Sequence, residues 1–334
     1  MTKTREFLKL KTLIKNAKRI LVSTHVQPDG DGLGAETALY HYLKRAGKSV
    51  RIHNPDPVPL RYRFLNLQES EPWKEFDLWI IVDTNDPRRL GPLWSQLPVR
   101  AKKIVFLDHH PDLVSPEKIH YPPQAMVVSD TRSSSIGELL YQLFKEMALT
   151  KINADMALGL YVSVMTDTNS FRYARTTPEA HLIASEMIGL GVNPEEVYQA
   201  IYSSKDLAHV QLLGILLQNT RISKDGKLAW IELRLDLRRK FKAVADDTLS
   251  FLNILLVLKD AEVVCLFREE DAEKDRLGKT RVSIKSKGRV IVNQIAMDLG
   301  GGGHEYAAGL ALGEPFEQVV DTVTTRLKKA ISTY

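Results

Sequence analysis

Only one cysteine, Cys265, occurs in 334 residues. A disulfide framework within the chain is therefore impossible, and a reducing cytoplasm is the compartment expected. Cys265 lies in an apolar, strand-like run and is expected in the core, not as a nucleophile. Long apolar runs are missing too. None approaches the ~20 residues that a bilayer crossing needs, so no membrane is expected. Residues 1–18 are rich in lysine and lack an apolar signal core followed by a small-residue cleavage site. They read instead as an amphipathic helix with Phe7, Leu10, Leu13 and Ile14 on one face. There is no internal repeat and no low-complexity tract. An excess of one charge is also lacking: 46 Lys and Arg against 41 Asp and Glu leave +5, too little to argue for a phosphate-rich ligand by itself.

What is present is more than one hydrophobic core usually carries, so two domains are expected. Strand and helix signals alternate along the first half. Arg19 to Thr24 (RILVST), Ser49 to His53, Asp77 to Asp83 (DLWIIVD) and Lys103 to Asp108 (KIVFLD) read as strands. Asp31 to Ala46, Ser134 to Met147 and Asn153 to Met165 read as helices. Continuous apolar runs suit central parallel strands, and the alternation is that of an α/β domain. Residues 178–217 are helical in pattern, broken by Gly189, Gly191 and Pro194. Beyond about Asn219, strand candidates at Leu228 to Leu233, Ala261 to Phe267 and Thr280 to Ile284 alternate with helices at Asp247 to Leu258, Ile291 to Asp298 and Pro315 to Ile331. The expected division is a first α/β domain over residues 1–190, a helical connector over 191–214 and a smaller α/β domain over 215–334.

Functional side chains in such sheets gather beyond the carboxyl ends of the strands. His25, Asp29 and Asp31 fall within seven residues between a strand and a helix, in a turn made tight by Pro28 and glycines. One imidazole and two carboxylates converging there suit a divalent cation such as Mn²⁺ or Mg²⁺. The same segment also reads as a turn whose aspartate caps the next helix. Asp83 closes one apolar strand, Asp108-His109-His110 closes another, and Asp167 ends a helical run. Buried carboxylates without partners are costly, so several at strand ends ask for a shared cation.

The order HxxPDxD, then a strand ending Asp83-Thr84, then Asp108-His109-His110, then Thr166-Asp167-Thr168 resembles the DHH phosphoesterase superfamily. The resemblance implies one metal ion on His25, Asp29 and Asp83, and a second on Asp31, Asp83, His109 and Asp167, with Asp83 shared. It implies a role at the substrate phosphate or behind the ligands for His110, oriented by Asp108. Two divalent ions are implied, Mn²⁺ first, with Mg²⁺ or Co²⁺ as alternatives. Paired cations activate water and clamp phosphoryl oxygens. The later segment, Arg281-Val-Ser283-Ile-Lys285-Ser286 followed by Gly300-Gly301-Gly302-Gly303-His304 and Ala307-Ala308-Gly309, is similar to the DHH-associated C-terminal domain and its GGGGHxxAAG loop. Glycine amides can approach a phosphate closely. Arg281, Ser283 and Lys285 alternate and so share a strand face. These residues, with Ser286, Gly301, Gly302, Gly303 and His304, are the substrate-binding candidates. Arg89 is a further one, while Arg88, Arg172 and Tyr173 are weaker. Lys285 stands where relatives often have Arg, a point charge in place of a fork.

Together the two resemblances span nearly the whole chain and are most similar to the oligoribonuclease and 3′-phosphoadenosine-5′-phosphate (pAp) phosphatase group. They imply a parallel-sheet domain, a smaller α/β domain and a substrate cleft between them. The expected reaction is two-metal hydrolysis of very short oligoribonucleotides, with pAp as a second substrate and a homodimer as a possible assembly. Three alternatives stand: a phosphodiesterase for cyclic dinucleotides or their linear products, a family II-like pyrophosphatase, and a non-catalytic nucleotide-binding protein. The glycine loop speaks against the second and the full ligand set against the third.

Overall fold

The computed structural model describes residues 2–110, 121–203, 206–242, 250–271 and 280–333, without the side chains of 2–4, 250 and 304. The chain divides into two compact units, Met1–Ser204 and Lys205–Tyr334.

Unit 1 is built on five parallel strands: β1 (Arg19–Ser23), β2 (Ser49–Ile52), β3 (Phe76–Val82), β4 (Ala101–Asp108) and β5 (Ala125–Ser129). Their order is β2-β1-β3-β4-β5. Residues 78–82 and 104–107 are buried without a break, because both faces of the sheet are covered. On one face Ile20, Val22, Ile80 and Val105 meet helices α1 (Thr2–Asn16), α2 (Gly30–Arg45), α4 (Ile136–Met147) and α5 (Ala154–Asp167). On the other, Leu21, Trp79, Ile81 and Phe106 meet Leu90, Leu97 and Leu93 of α3 (Pro92–Gln96). Helices α6 (Pro178–Gly189) and α7 (Pro194–Tyr202) complete the unit.

The strand order sets the place for chemistry. From β1 the chain moves outward to β2, then returns to the other side of β1 for β3. Such a reversal opens a crevice beyond the carboxyl ends of the two strands. Residues that follow β1 and β3 therefore face a common space, and these are His25 and Asp83. Two glycines bring in the helices. A Cβ on Gly34 in α2 would lie 2.5 Å from the Gly159 carbonyl oxygen, and one on Gly159 in α5 would lie 2.5 Å from that of Gly34. The two backbones touch where any larger residue would push them apart, so the start of α2 and the end of α5 reach the same site.

Unit 2 has a mixed sheet in the order β10-β11-β9-β8-β7-β6. Its strands are β6 (Arg221–Ile222), β7 (Leu228–Leu233), β8 (Val263–Glu269), β9 (Thr280–Ser286), β10 (Gly302–His304) and β11 (Ala307–Leu312). Among the described residues only β7 and β8 pair in parallel there. Val263, Cys265, Phe267, Val282 and Ile284 pack beneath the helices Asn293–Asp298 and Phe316–Ile331. The other face is covered over β7 and β8 by α8 (Leu207–Gln218) and the helix Ser250–Leu255.

The edge strand β5 has no counterpart in the sequence reading. The glycine segment, read as a loop, pairs into the β10–β11 hairpin, with Gly302 opposite Gly309 and His304 opposite Ala307. The expected helix from Asp247 begins outside the described residues. Among the described residues no helix is long and apolar enough to cross a membrane.

Candidate metal centre

Asp83 sits one residue past β3, with φ at +65°. This left-handed conformation is uncommon outside glycine, though aspartate tolerates it better than most. Its N–H still bonds to Leu107 O at 2.9 Å, so the ladder holds while the side chain turns into the crevice. Asp83 Oδ2 lies 3.3 Å from His25 Nε2, and Oδ1 lies 3.4 Å from His109 Nε2 and 3.6 Å from His110 Nδ1. One carboxylate thus stands between histidines from two different strand ends.

His25 Nδ1 donates to Val26 O at 2.7 Å. A carbonyl can only accept, so Nδ1 carries the proton and Nε2 is directed at Asp83. Asp29 does two things. Its Oδ1 accepts from the N–H groups of Asp31 and Gly32 at the start of α2, the capping role, and the carboxylate also joins His25 and Asp83 in a cluster of ligand atoms within 4.8 Å of one another. Asp31 is buried. Its Oδ2 accepts from Ile136 N at 3.0 Å, at the amino end of α4, and its Oδ1 accepts from the Ser163 hydroxyl. A helix start favours negative charge there.

His109 is fully buried. Its Nε2 faces Asp31 Oδ2 at 3.1 Å, Asp83 Oδ1 at 3.4 Å and Asp167 Oδ2 at 3.8 Å. Asp31, His109 and Asp167 form a second cluster, and Asp83, His109 and His110 a third. His110 Nδ1 lies 2.7 Å from Asp108 Oδ1. All six proposed ligands, with His110 and Asp108, therefore meet in unit 1.

The charge balance of this space is unusual. Burial pushes the Asp31 carboxyl up to about 7, helped by the Asp83 charge and opposed by His109. Burial likewise raises Asp167, against the pull of His109 and Arg175. For Asp83 burial acts upward, but the pull of the His109 and His25 imidazoles outweighs it and holds the carboxyl well below its usual range. Burial would lower both imidazoles. Instead Asp83 raises His25, and Asp31 and Asp83 raise His109 well above the ordinary value. Asp83 Oδ1, His109 Nε2 and Asp167 Oδ2 are close yet poorly aligned, and each is buried without a hydrogen-bond partner. Unpaired polar atoms of this kind are costly. Nitrogen and carboxylate donors converging in this way fit a divalent cation.

Reading the sequence alone missed several contributors. Arg175 Nη2 lies 2.7 Å from His109 Nδ1 and donates to Ser133 O at 3.2 Å, and its Nη1 lies 3.5 Å from Asp167 Oδ2. Glu138 accepts from the Ser134 N–H and hydroxyl and from the Thr177 hydroxyl, fixing the turn that leads into α4. The S-x-x-E pattern of a capping box, at Ser135 and Glu138, is the signal that could have found it. Of the arginine candidates, Arg89 is half-buried and its charge acts on His25. Arg88 is bound to Asp86, and Arg172 is exposed and tied to Asn169.

In unit 2, strand pairing puts Arg281, Ser283 and Lys285 on one face with Ala311, Gly309 and Ala307, and Gly302 lies beyond Gly309. On its β11 side that face carries only alanine and glycine beside these polar residues. Lys285 Nζ donates to Asn253 Oδ1 at 2.8 Å, and Arg281 Nε lies 3.6 Å from Glu270 Oε1. Ser286 points the opposite way, where its hydroxyl accepts from the N–H groups of Gly288 and Val290. Gly301 and Gly303 leave no room for a Cβ against β11. The His304 side chain lies outside the described residues.

Comparison with known proteins matches both units. The DHH family N-terminal domain matches residues 19–164, and the DHHA1 domain matches 225–333. The chain is 27% identical over 319 residues to the bifunctional oligoribonuclease and PAP phosphatase NrnA of Thermus thermophilus, covering 93% of this chain and 91% of that one. It is 28% identical over 298 residues to the protein of the same name from Bacillus subtilis, covering 88% and 89%. The crystal structure of an exopolyphosphatase-related protein from Bacteroides fragilis superposes with a TM-score of 0.86 at 25% identity, covering 97% of this chain and 96% of that one. The chain thus carries a DHH-family N-terminal domain followed in sequence by a DHHA1 domain, and its chemistry is that of a hydrolytic phosphoesterase or nuclease.

Proposed function

We propose that this protein hydrolyses phosphodiester bonds in very short oligoribonucleotides and removes the 3′-phosphate of pAp, with two divalent cations held in unit 1. The observation that carries this reading is the position of Asp83, whose two oxygens face His25 on one side and His109 on the other. In this assignment His25, Asp29 and Asp83 hold one ion, and Asp31, Asp83, His109 and Asp167 hold the other. Mn²⁺ is the preferred ion, since imidazole with several carboxylates is a mixed donor set. Such a pair supplies an acidified water and a clamp on phosphoryl oxygens. His110, oriented by Asp108, faces the substrate phosphate and can hold a proton there. Arg89 adds positive charge at the His25 end. In unit 2, Arg281, Ser283 and Lys285 with Gly301, Gly302, Gly303 and His304 recognise the phosphate and base of the substrate. The low bulk of that face on its β11 side supports the assignment, because a flat base or phosphate can approach the strands closely. Ser286 acts in this scheme through its turn. The bifunctional names of the two curated relatives support both substrates, and the single buried cysteine accords with a cytoplasmic setting.

The test is a substrate panel with Mn²⁺: 5′-phosphorylated ribonucleotides of two, three, five and fifteen residues, pAp, pyrophosphate and a cyclic dinucleotide. Turnover falling steeply with length, together with pAp hydrolysis, is the expected result. Turnover of pyrophosphate alone, or of the cyclic dinucleotide in preference to the dinucleotide, would overturn the substrate assignment.

A further inference from the structure

We propose that Asn54 is a positioning residue for the His25 end of the metal centre, holding the backbone from which that imidazole projects. The inference rests on the two-cation reading above, because it concerns how firmly one of the two ions is held.

Asn54 lies just past β2 and is almost fully buried. Its Oδ1 accepts from the N–H of Thr24 at 2.9 Å. Thr24 is fully buried and immediately precedes His25, and its hydroxyl donates to Val82 O at 3.1 Å, the residue before Asp83. A single residue thus ties the turn carrying His25 to the turn carrying Asp83. The other end of the Asn54 amide is also held. Its Nδ2 donates to Glu36 Oε2 at 2.8 Å, from α2. Glu69 is hydrogen-bonded to Asn54 as well, from the short segment that bridges to Ile52.

These partners allow one orientation of the amide. A backbone N–H only donates, so Thr24 needs the oxygen of Asn54. Reversed, the amide would set its NH₂ against the Thr24 N–H and its oxygen against two carboxyl groups. The arrangement lies behind the ligands, since neither Asn54, Glu36 nor Glu69 belongs to any of the three ligand clusters. Groups that orient metal ligands in this way typically change metal affinity by ~10–100-fold when removed. No spacing rule marks such a residue, because its partners are 30, 18 and 15 positions away along the chain.

The test is calorimetric titration with Mn²⁺ of the full chain, as wild type, Asn54→Ala and Ser23→Ala, with thermal melting of each. Ser23 is the structural control. Its hydroxyl donates to His53 O and accepts from Trp79 Nε1 at the same strand ends, without bonding to the Thr24–His25 turn. Expected are two ions on the wild type, a loss of about tenfold or more for one of them in Asn54→Ala, and a lowered melting point with both affinities kept in Ser23→Ala. A folded Asn54→Ala that binds both ions within twofold of wild type would overturn the inference and leave the metal centre standing. A wild type that binds no Mn²⁺ would remove the two-cation reading, and this inference with it. Should Asn54→Ala not fold, Asn54→Ser makes the same comparison.

Discussion

Arg175 places Nη2 2.7 Å from Nδ1 of His109, and its Nη1 stands 3.5 Å from Asp167 Oδ2. One guanidinium therefore steadies two proposed ligands of the same ion from behind. Its planar fork can meet both at once, which a single ammonium cannot. Arg175→Ala is predicted to lower kcat/KM by about 10–100-fold, and Arg175→Lys to recover only part of it. Steady-state kinetics on a diribonucleotide check this, and wild-type rates in Arg175→Ala would exclude the role.

The contact between Gly34 and Gly159 has a separate consequence. Gly34→Ala or Gly159→Ala must force α2 and α5 apart, at about 1–3 kcal/mol or more for overpacking of this kind. Both changes also move Asp31 relative to Asp167. Lowered melting points together with loss of turnover are expected. Alanine tolerated at both positions, with stability and turnover unchanged, would contradict the close approach.

Burial pushes the Glu36 carboxyl up to about 8, with Asn54 acting against the shift and Glu69 adding to it. A raised carboxyl means that the folded state prefers the protonated form. Its contribution to stability is complete below the ordinary value near 4.5 and is lost as pH rises through about 8. Glu36→Gln keeps the shape of the protonated group and should remove this loss. Denaturant unfolding of the two proteins from pH 5 to 9 should show curves that diverge with rising pH, the variant being the more stable on the alkaline side. Parallel curves would exclude the buried neutral carboxyl.

Helix α4 ends at Ala148, which has φ at +48° and is exposed. An L-residue is strained there and glycine is not. Ala148→Gly is predicted to raise stability by about 0.5–1 kcal/mol, read as a shift in the denaturation midpoint with no effect on turnover.

These residues also show what a sequence can disclose. The strands ending at Asp83 and Asp108 were legible because unbroken apolar runs stop at charged residues, and charged strand ends in a parallel sheet gather on one side. Strand β5 was not, since AMVVS is an edge strand mostly only partly buried and has no such contrast. The hairpin β10–β11 was hidden because glycines disfavour strands by propensity, while β9 supplies the pairing that overrides it. Arg175 follows three successive residues, Asn169, Ser170 and Phe171, with φ between 50° and 64°. No propensity anticipates that path, so none could place the guanidinium behind His109. Glycines 125 positions apart and the partners of Asn54 are legible only once the chain has folded.

The most direct test of the account is hydrolysis of a 5′-phosphorylated diribonucleotide in Mn²⁺ by the wild type and by Asp83→Asn. The change keeps the shape of the side chain, and asparagine tolerates the left-handed backbone, so the variant should fold. It removes the carboxylate that both proposed ion sites share. A loss of about two to three orders of magnitude in turnover, with chelator-treated wild type equally inactive and restored by Mn²⁺, is the predicted result. Turnover by Asp83→Asn at or near the wild-type rate would contradict it.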